Sequence, residues 1–259
     1  MNELVRLGTL PRSALPDRMA CFDTASAYVK VLADLHLSHL THQRNDAVEG
    51  EIDCRRRYIA RHLFHKLAEE GRFTSPSTDS GPFKLWCDDL RPSNILVDEG
   101  LQIVGVVDWE LTYAAPTEFS HAPPWWLLLE QPEYWPGGID GWAEVYEPRL
   151  RTFIQVLRDR EDVSIEQGKL REQDRLSDPM QQSWDSGDFW VTYAARKNFA
   201  FDPVFWQYIN RRYFGSQACW QERLELLDGG ERDEMEKLVS RKLEEMKDRV
   251  LAWEPDELS

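Results

Sequence analysis

Three side chains in the middle of this sequence have the types and spacing to hold a metal beside a proton acceptor. Asp89 and Asn94 stand five residues apart in Cys87-Asp88-Asp89-Leu90-Arg91-Pro92-Ser93-Asn94, and Asp108 follows after a short interval. That interval reads as a hairpin. Ile95-Leu96-Val97 and Gln102-Ile103-Val104-Gly105-Val106-Val107 are β-branched runs separated by Asp98-Glu99-Gly100. An antiparallel hairpin sets the start of one strand beside the end of the next. The spacing therefore predicts that Asn94 and Asp108 share one open end, with Asp89 nearby. Two carboxylates and an amide there are hard oxygen ligands of the kind Mg²⁺ takes alongside phosphate oxygens. Asp, Pro, Ser and Asn are also ordinary turn residues, so the hairpin and its terminal aspartate carry more meaning than the five-residue spacing alone.

Other reactive residue types read as structure. Cys87 has no base in its neighbourhood of sequence, so packing is its expected role. His36, His39 and His42 recur every third residue and fan across a helix, unlike the i, i+4 pair that grips zinc. They and His62 and His65 are read as a solvated or packing face. The tryptophans at 125, 126, 135, 184, 190 and 206 are read as core rather than as a ligand pocket. Glu110, Glu118 and Glu130 could face a cationic substrate, but the chain is acidic throughout. Lys30 in Tyr28-Val29-Lys30-Val31 mimics a strand lysine, yet its flanks are helical in period.

The elements around the hairpin are mainly helical. Residues 1–22, with Gly8, Pro11 and Pro16, read as an extended leader. Asp23 or Thr24 caps a helix over 24–42. A second helix runs over about 52–70, its stripe Ile52, Ile59, Leu63 and Leu67, with Arg55, Arg56, Arg57 and Arg61 on the other faces. Residues 71–82 are a turn-rich loop, and Phe83–Glu110 reads as strand, tight loop, strand, turn, strand. Beyond Glu110 the pattern is helical and aromatic. A long amphipathic helix is expected within 217–252 on Met235, Val239, Leu243, Met246 and Val250, and 253–259 reads as a flexible tail. Residues 23–252 are expected to form one domain.

Composition bounds the partners. The 259 residues carry a formal charge of −15, with 42% hydrophobic and 12% aromatic residues. That excludes a chain disordered throughout. It argues against nucleic-acid or anionic-membrane partners, which need a positive field. Cys21, Cys54, Cys87 and Cys219 have no zinc spacing and fit a reducing compartment. With no transmembrane run and no apolar signal core, a cytoplasmic location is expected.

Asp89–Asn94 resembles the D-x-x-x-x-N catalytic loop of protein-kinase-like enzymes. Val106-Val107-Asp108-Trp109-Glu110 resembles the metal-binding segment of the aminoglycoside phosphotransferase family. LWCDDLRPSNILVD, TYAAPTEFS, APPWWLLLEQPEYW, SWDSGDFW and QRNDAVEGEIDCRRRYIARHLF are similar to the fungal branch of that family, and extend the likeness over nearly the whole chain. The resemblance implies an α+β, mainly α fold: the C-terminal lobe of a protein-kinase-like phosphotransferase with a small central β hairpin. It implies ATP and Mg²⁺ as cofactors, Asp89 as the base on a substrate hydroxyl, and Asn94 and Asp108 as metal and nucleotide ligands.

Two departures stand out. Cys87-Asp88 replaces the family's frequent His-Gly, and Asp88 would raise the proton affinity of Asp89 or help hold a cation. The larger one is the N-terminal lobe. No G-x-G-x-x-G is present, and the residues before Asp89 read as leader and helices, so the chain is expected to begin inside the family's length without that lobe. Two readings follow. One is a Mg²⁺/ATP-dependent phosphotransferase acting on a hydroxyl of an unknown small molecule, or its catalytic-lobe fragment. The other is a truncated, non-catalytic binding or scaffold protein, with apolar surface exposed where the lobe would dock and self-association through it.

Overall fold

The computed structural model describes residues 2–17, 19–44, 47–215 and 219–247. In chain order the elements are α1 (Asn2–Arg6), α2 (Ala25–His42), α3 (Glu51–Glu69), β1 (Lys84–Cys87), β2 (Ile95–Val97), β3 (Ile103–Val106), β4 (Thr112–Ala115) and α4 (Thr117–His121). Then come α5 (Gly138–Glu166), α6 (Ser177–Ser186), α7 (Asp188–Arg196), α8 (Phe201–Val204), α9 (Asn210–Phe214), α10 (Trp220–Arg223) and α11 (Gly229–Glu245). A π-helical turn, Phe205–Ile209, joins α8 to α9. The chain is mainly helical with a small β content, the α+β class expected from the sequence. It divides into two units, 1–75 with 194–259, and 76–193.

In the first unit α2 starts at Thr24, whose hydroxyl accepts the Ala27 N–H at 3.1 Å. Its last carbonyls are met from far along the chain. The ammonium of Lys242, itself buried, donates to Thr41 O at 3.0 Å and also to Gln43 O. α3 packs along α2, burying Cys54, Tyr58, Ile59, Leu63 and Leu67. Two assignments on α3 differ from the expected stripe. Ile52 is exposed in the first turn, and Arg61 is buried. Arg61 points inward because Asp202 takes its guanidinium at 2.6 and 3.0 Å, a paired charge of the kind an interior accepts. Asp202 is held below the usual carboxylate range by the Arg61 charge and its hydrogen bonds, against the opposing effect of burial.

Residues 2–15 are not extended. α1 and a 3₁₀ turn at Arg12–Ala14 replace the expected leader. Leu4, Val5 and Leu10 are buried in one cluster with Leu35 of α2, so these residues belong to the first unit. At the other end, the described part of the expected helix, 219–247, is α10, a 3₁₀ turn and α11, and Val250 of its stripe lies outside the described residues. α11 opens with a capping box between Asp228 and Glu231. The expected tail, 253–259, lies outside the described residues.

The second unit holds both sheets, each of two antiparallel strands. β2 pairs with β3, Ile95 opposite Val106, with a bulge between Leu96 and Val97. β1 pairs with β4, which places Trp86 opposite Tyr113 and Cys87 opposite Thr112. β4 was not expected: the chain was read as helical from Glu110 onward. In the same unit, α5 buries Trp142 and Tyr146, their rings stacked 4.2 Å apart, against Phe189 and Trp190 of α7. α6 has no capping side chain of its own. The buried Glu161 carboxylate of α5 serves instead, accepting from Leu176 N, Ser177 N and the Ser177 hydroxyl. Among the described residues no helix is long and apolar enough to cross a membrane.

Candidate active site

The hairpin places the three predicted residues around one turn. The chain leaves β1 at Cys87, and Asp88 N donates to Leu111 O at 3.2 Å, holding the turn beside the start of β4. A 3₁₀ turn, Pro92–Asn94, then delivers Asn94 to the foot of β2. Asn94 is buried. Its amide donates to Asp89 O at 2.8 Å and to Asp89 Oδ2 at 3.1 Å. Across the hairpin, Val107 N donates to Asn94 O at 2.9 Å, so the residue before Asp108 is tied to Asn94. Asp89 also pairs with Arg91, Nε to Oδ1 at 3.1 Å.

Asp108 adopts the left-handed conformation, φ 61° and ψ 53°, uncommon for a residue with a side chain though more accessible to Asp than to most. It precedes the 3₁₀ turn Trp109–Leu111 without capping it through its side chain, and its exposed carboxylate makes no hydrogen bond or ion pair with a described residue. Trp109 folds back, its indole N–H donating to Val106 O at 2.9 Å. The strained backbone thus turns a carboxylate out of the strand end and leaves it available.

Asp88 differs from its neighbour. The indole N–H of Trp86 donates to one oxygen at 2.8 Å and the Tyr113 hydroxyl to the other at 3.1 Å. Those two side chains face each other across the β1–β4 pair. The carboxylate is therefore engaged by the sheet, a role the sequence did not announce because Tyr113 lies on β4. Cys87 is half-buried, its thiol 3.8 Å from Asp108 O, a packing position. All four cysteines are free.

The donor set suits a hard cation: one uncommitted carboxylate at Asp108 and the amide oxygen of Asn94, which accepts only a long 3.3 Å bond from Ser93. Among the described residues no three His, Cys, Asp or Glu gather into a metal group. A cation here would draw further ligands from phosphate oxygens and water. Of the acidic residues downstream, Glu118 accepts from Thr78 at 2.8 Å, Glu130 holds the backbone N–H of Gln131, and Glu110 is exposed.

Elsewhere the histidines are structural. The Asn198 amide bridges Nδ1 of His36 and Nδ1 of His39 at 2.9 Å each, with Ala195 O beyond one ring and Thr9 beyond the other. His62 stacks on Tyr58 and His65 meets Asp34 at 2.7 Å. Lys30 lies on α2 and pairs with Glu69 at 2.8 Å. The buried bridge through Asn198 was not found from sequence; its members lie about 160 residues apart.

No family model matches the chain, and no solved structure matches it. A clavilactone A biosynthesis cluster protein Y from Ampulloclitocybe clavipes is 29% identical over 109 residues, which is 42% of this chain. The chain spans about a quarter of the length of that curated relative, 26% being matched.

Proposed function

We propose that this chain carries the base-and-metal part of a Mg²⁺/ATP-dependent phosphotransferase of the protein-kinase-like, aminoglycoside phosphotransferase type, acting on a hydroxyl of a small molecule in the cytoplasm. One observation carries the reading. Asn94 binds Asp89 through its amide while its carbonyl is hydrogen-bonded to the residue before a left-handed, uncommitted Asp108. Asp89 is then held to receive a hydroxyl proton. Asn94 and Asp108 would hold Mg²⁺, which supplies charge neutralisation to nucleotide phosphates. Similarity to a biosynthesis cluster protein is compatible with a small-molecule substrate. The test is calorimetric titration with Mg²⁺ and ATP. Binding that needs the metal and disappears in Asp108→Asn supports the reading. Equal heats from the variant and the natural chain, or none from either folded protein, reject it.

A second reading, a non-catalytic binding protein, is favoured by the apolar hairpin. Leu101, Ile103 and Val104 are 79%, 67% and 65% exposed, where strands of a finished sheet would cover at least one face. It requires a solvatochromic dye to bind at the hairpin, and no dye binding would reject it.

A further inference from the structure

We infer that the β2–β3 hairpin is the docking surface for a cationic polypeptide segment in extended conformation. The inference names the partner of the second reading and rests on its observation, the exposed hairpin. Six side chains between 96 and 107 are exposed: Leu96, Val97, Leu101, Ile103, Val104 and Val107. Together they form a run of exposed apolar side chains spread over both faces of the ribbon. Both faces contribute, because Ile103 and Val104 are adjacent in one strand and point to opposite sides.

The backbone adds a second need. Among the described residues each sheet has two strands, so β2 and β3 each keep one edge with no strand beside it there. A two-stranded ribbon is marginal by itself, and an exposed apolar edge invites another strand. Solitary edges are protected by short strands, bulges, lysine, proline or inward charge. From Ile95 to Glu110 there is no lysine, arginine or proline. Shortness and the bulge in β2 blunt these edges, but no charged side chain or proline within the strands guards them.

Charge identifies the occupant. The same sixteen residues carry Asp98, Glu99, Asp108 and Glu110, all exposed, and no cation. A hairpin whose own charges are all negative, with Arg91 before it paired to Asp89, complements a segment of alternating apolar and basic residues, added edge-on as a strand. A second copy fits poorly. It would set the same four carboxylates against four more, between chains of charge −15 each.

Hydrogen exchange on the full chain tests this, with a synthetic twelve-residue peptide of alternating valine and lysine as the probe. Its control alternates valine and glutamate. At ten times its dissociation constant the lysine peptide should slow exchange at 95–106 about tenfold. The protection should fade in high salt and be absent with the glutamate peptide. Asp98→Asn/Glu99→Lys, which leaves the apolar core untouched, should weaken it. Equal protection by both peptides, none by either, or protection that grows with protein concentration alone overturns the proposal. Dye binding without peptide preference rejects the cationic partner while keeping the second reading; absence of dye binding rejects that reading itself. Asp108→Asn should lose Mg²⁺/ATP binding yet keep most peptide protection, which separates this surface from the metal site.

Discussion

Acidification from pH 7 to pH 5 should weaken the first unit by about 4 kcal/mol through His36 and His39. Burial, reinforced by the Arg61 charge, pushes His36 down to about 4 and His39 down to about 2. For His39 the His36, Lys242 and Arg57 charges act in the same direction, while for His36 the Asn198 and Ala195 hydrogen bonds and Asp202 oppose it. An unfolded histidine titrates near 6.5. Both folded values are depressed, so the contribution is full above 6.5 and is lost as pH falls toward the folded values. At pH 5 each ring lies about 1.5 units below its unfolded pKa, and at about 1.4 kcal/mol per unit that is about 2 kcal/mol per histidine. Urea unfolding followed by tryptophan fluorescence at the two pH values reads the loss. His62 and His121 are also lowered by burial, so the assay needs His36→Gln/His39→Gln alongside. That variant should be less stable at pH 7 but lose about 4 kcal/mol less on acidification. A natural chain equally stable at both values, or a variant with the same pH dependence, refutes the reasoning.

Arg61→Met leaves the Asp202 carboxylate with only the longer 3.4 Å bond from Arg57 and should destabilise by about 3 kcal/mol. Adding Asp202→Leu should recover most of that, and a loss under 1 kcal/mol for the single variant would count against a buried pair. Asp88→Ala removes the acceptor of Trp86 and Tyr113 and should cost about 2 kcal/mol. The Trp86 indole N–H resonance should move upfield, and an unmoved resonance would mean the clamp is not formed. Leu101, at φ 59° in the hairpin turn, occupies a conformation that glycine tolerates better. Leu101→Gly should stabilise the hairpin by about 0.5–1 kcal/mol, seen as slower amide exchange at 95–97 and 103–106, and faster exchange would contradict it.

The placement of the candidate residues was legible because it is local. Asn94 and Asp108 flank one hairpin and Asp89 lies in the turn before it, so antiparallel pairing predicts which end they share. What escaped depends on partners remote in sequence. Arg61 reads as a surface residue until Asp202 neutralises it, and Ile52 reads as core until the first turn of α3 is seen to lie outside. β4 is Thr-Tyr-Ala-Ala, too short and small to announce itself, and its register is set by β1 across the whole hairpin. The first residues escaped for the same reason: Leu4, Val5 and Leu10 are too few to show a period and acquire meaning only against Leu35 of α2.

The ammonium of Lys242 on the carbonyls of Thr41 and Gln43 has a consequence for synthesis. The end of α2 leaves the ribosome about two hundred residues before the group that completes it. The first unit is interrupted by residues 76–193, which at about 5–20 residues per second take on the order of ten seconds to translate. During that time α2 and α3 hold their apolar faces without α8, α9 or α11. The inserted unit is continuous and can close as soon as it emerges. The order of folding is thereby inverted relative to the order of translation: the part made second is finished first, and the part made first waits for α11.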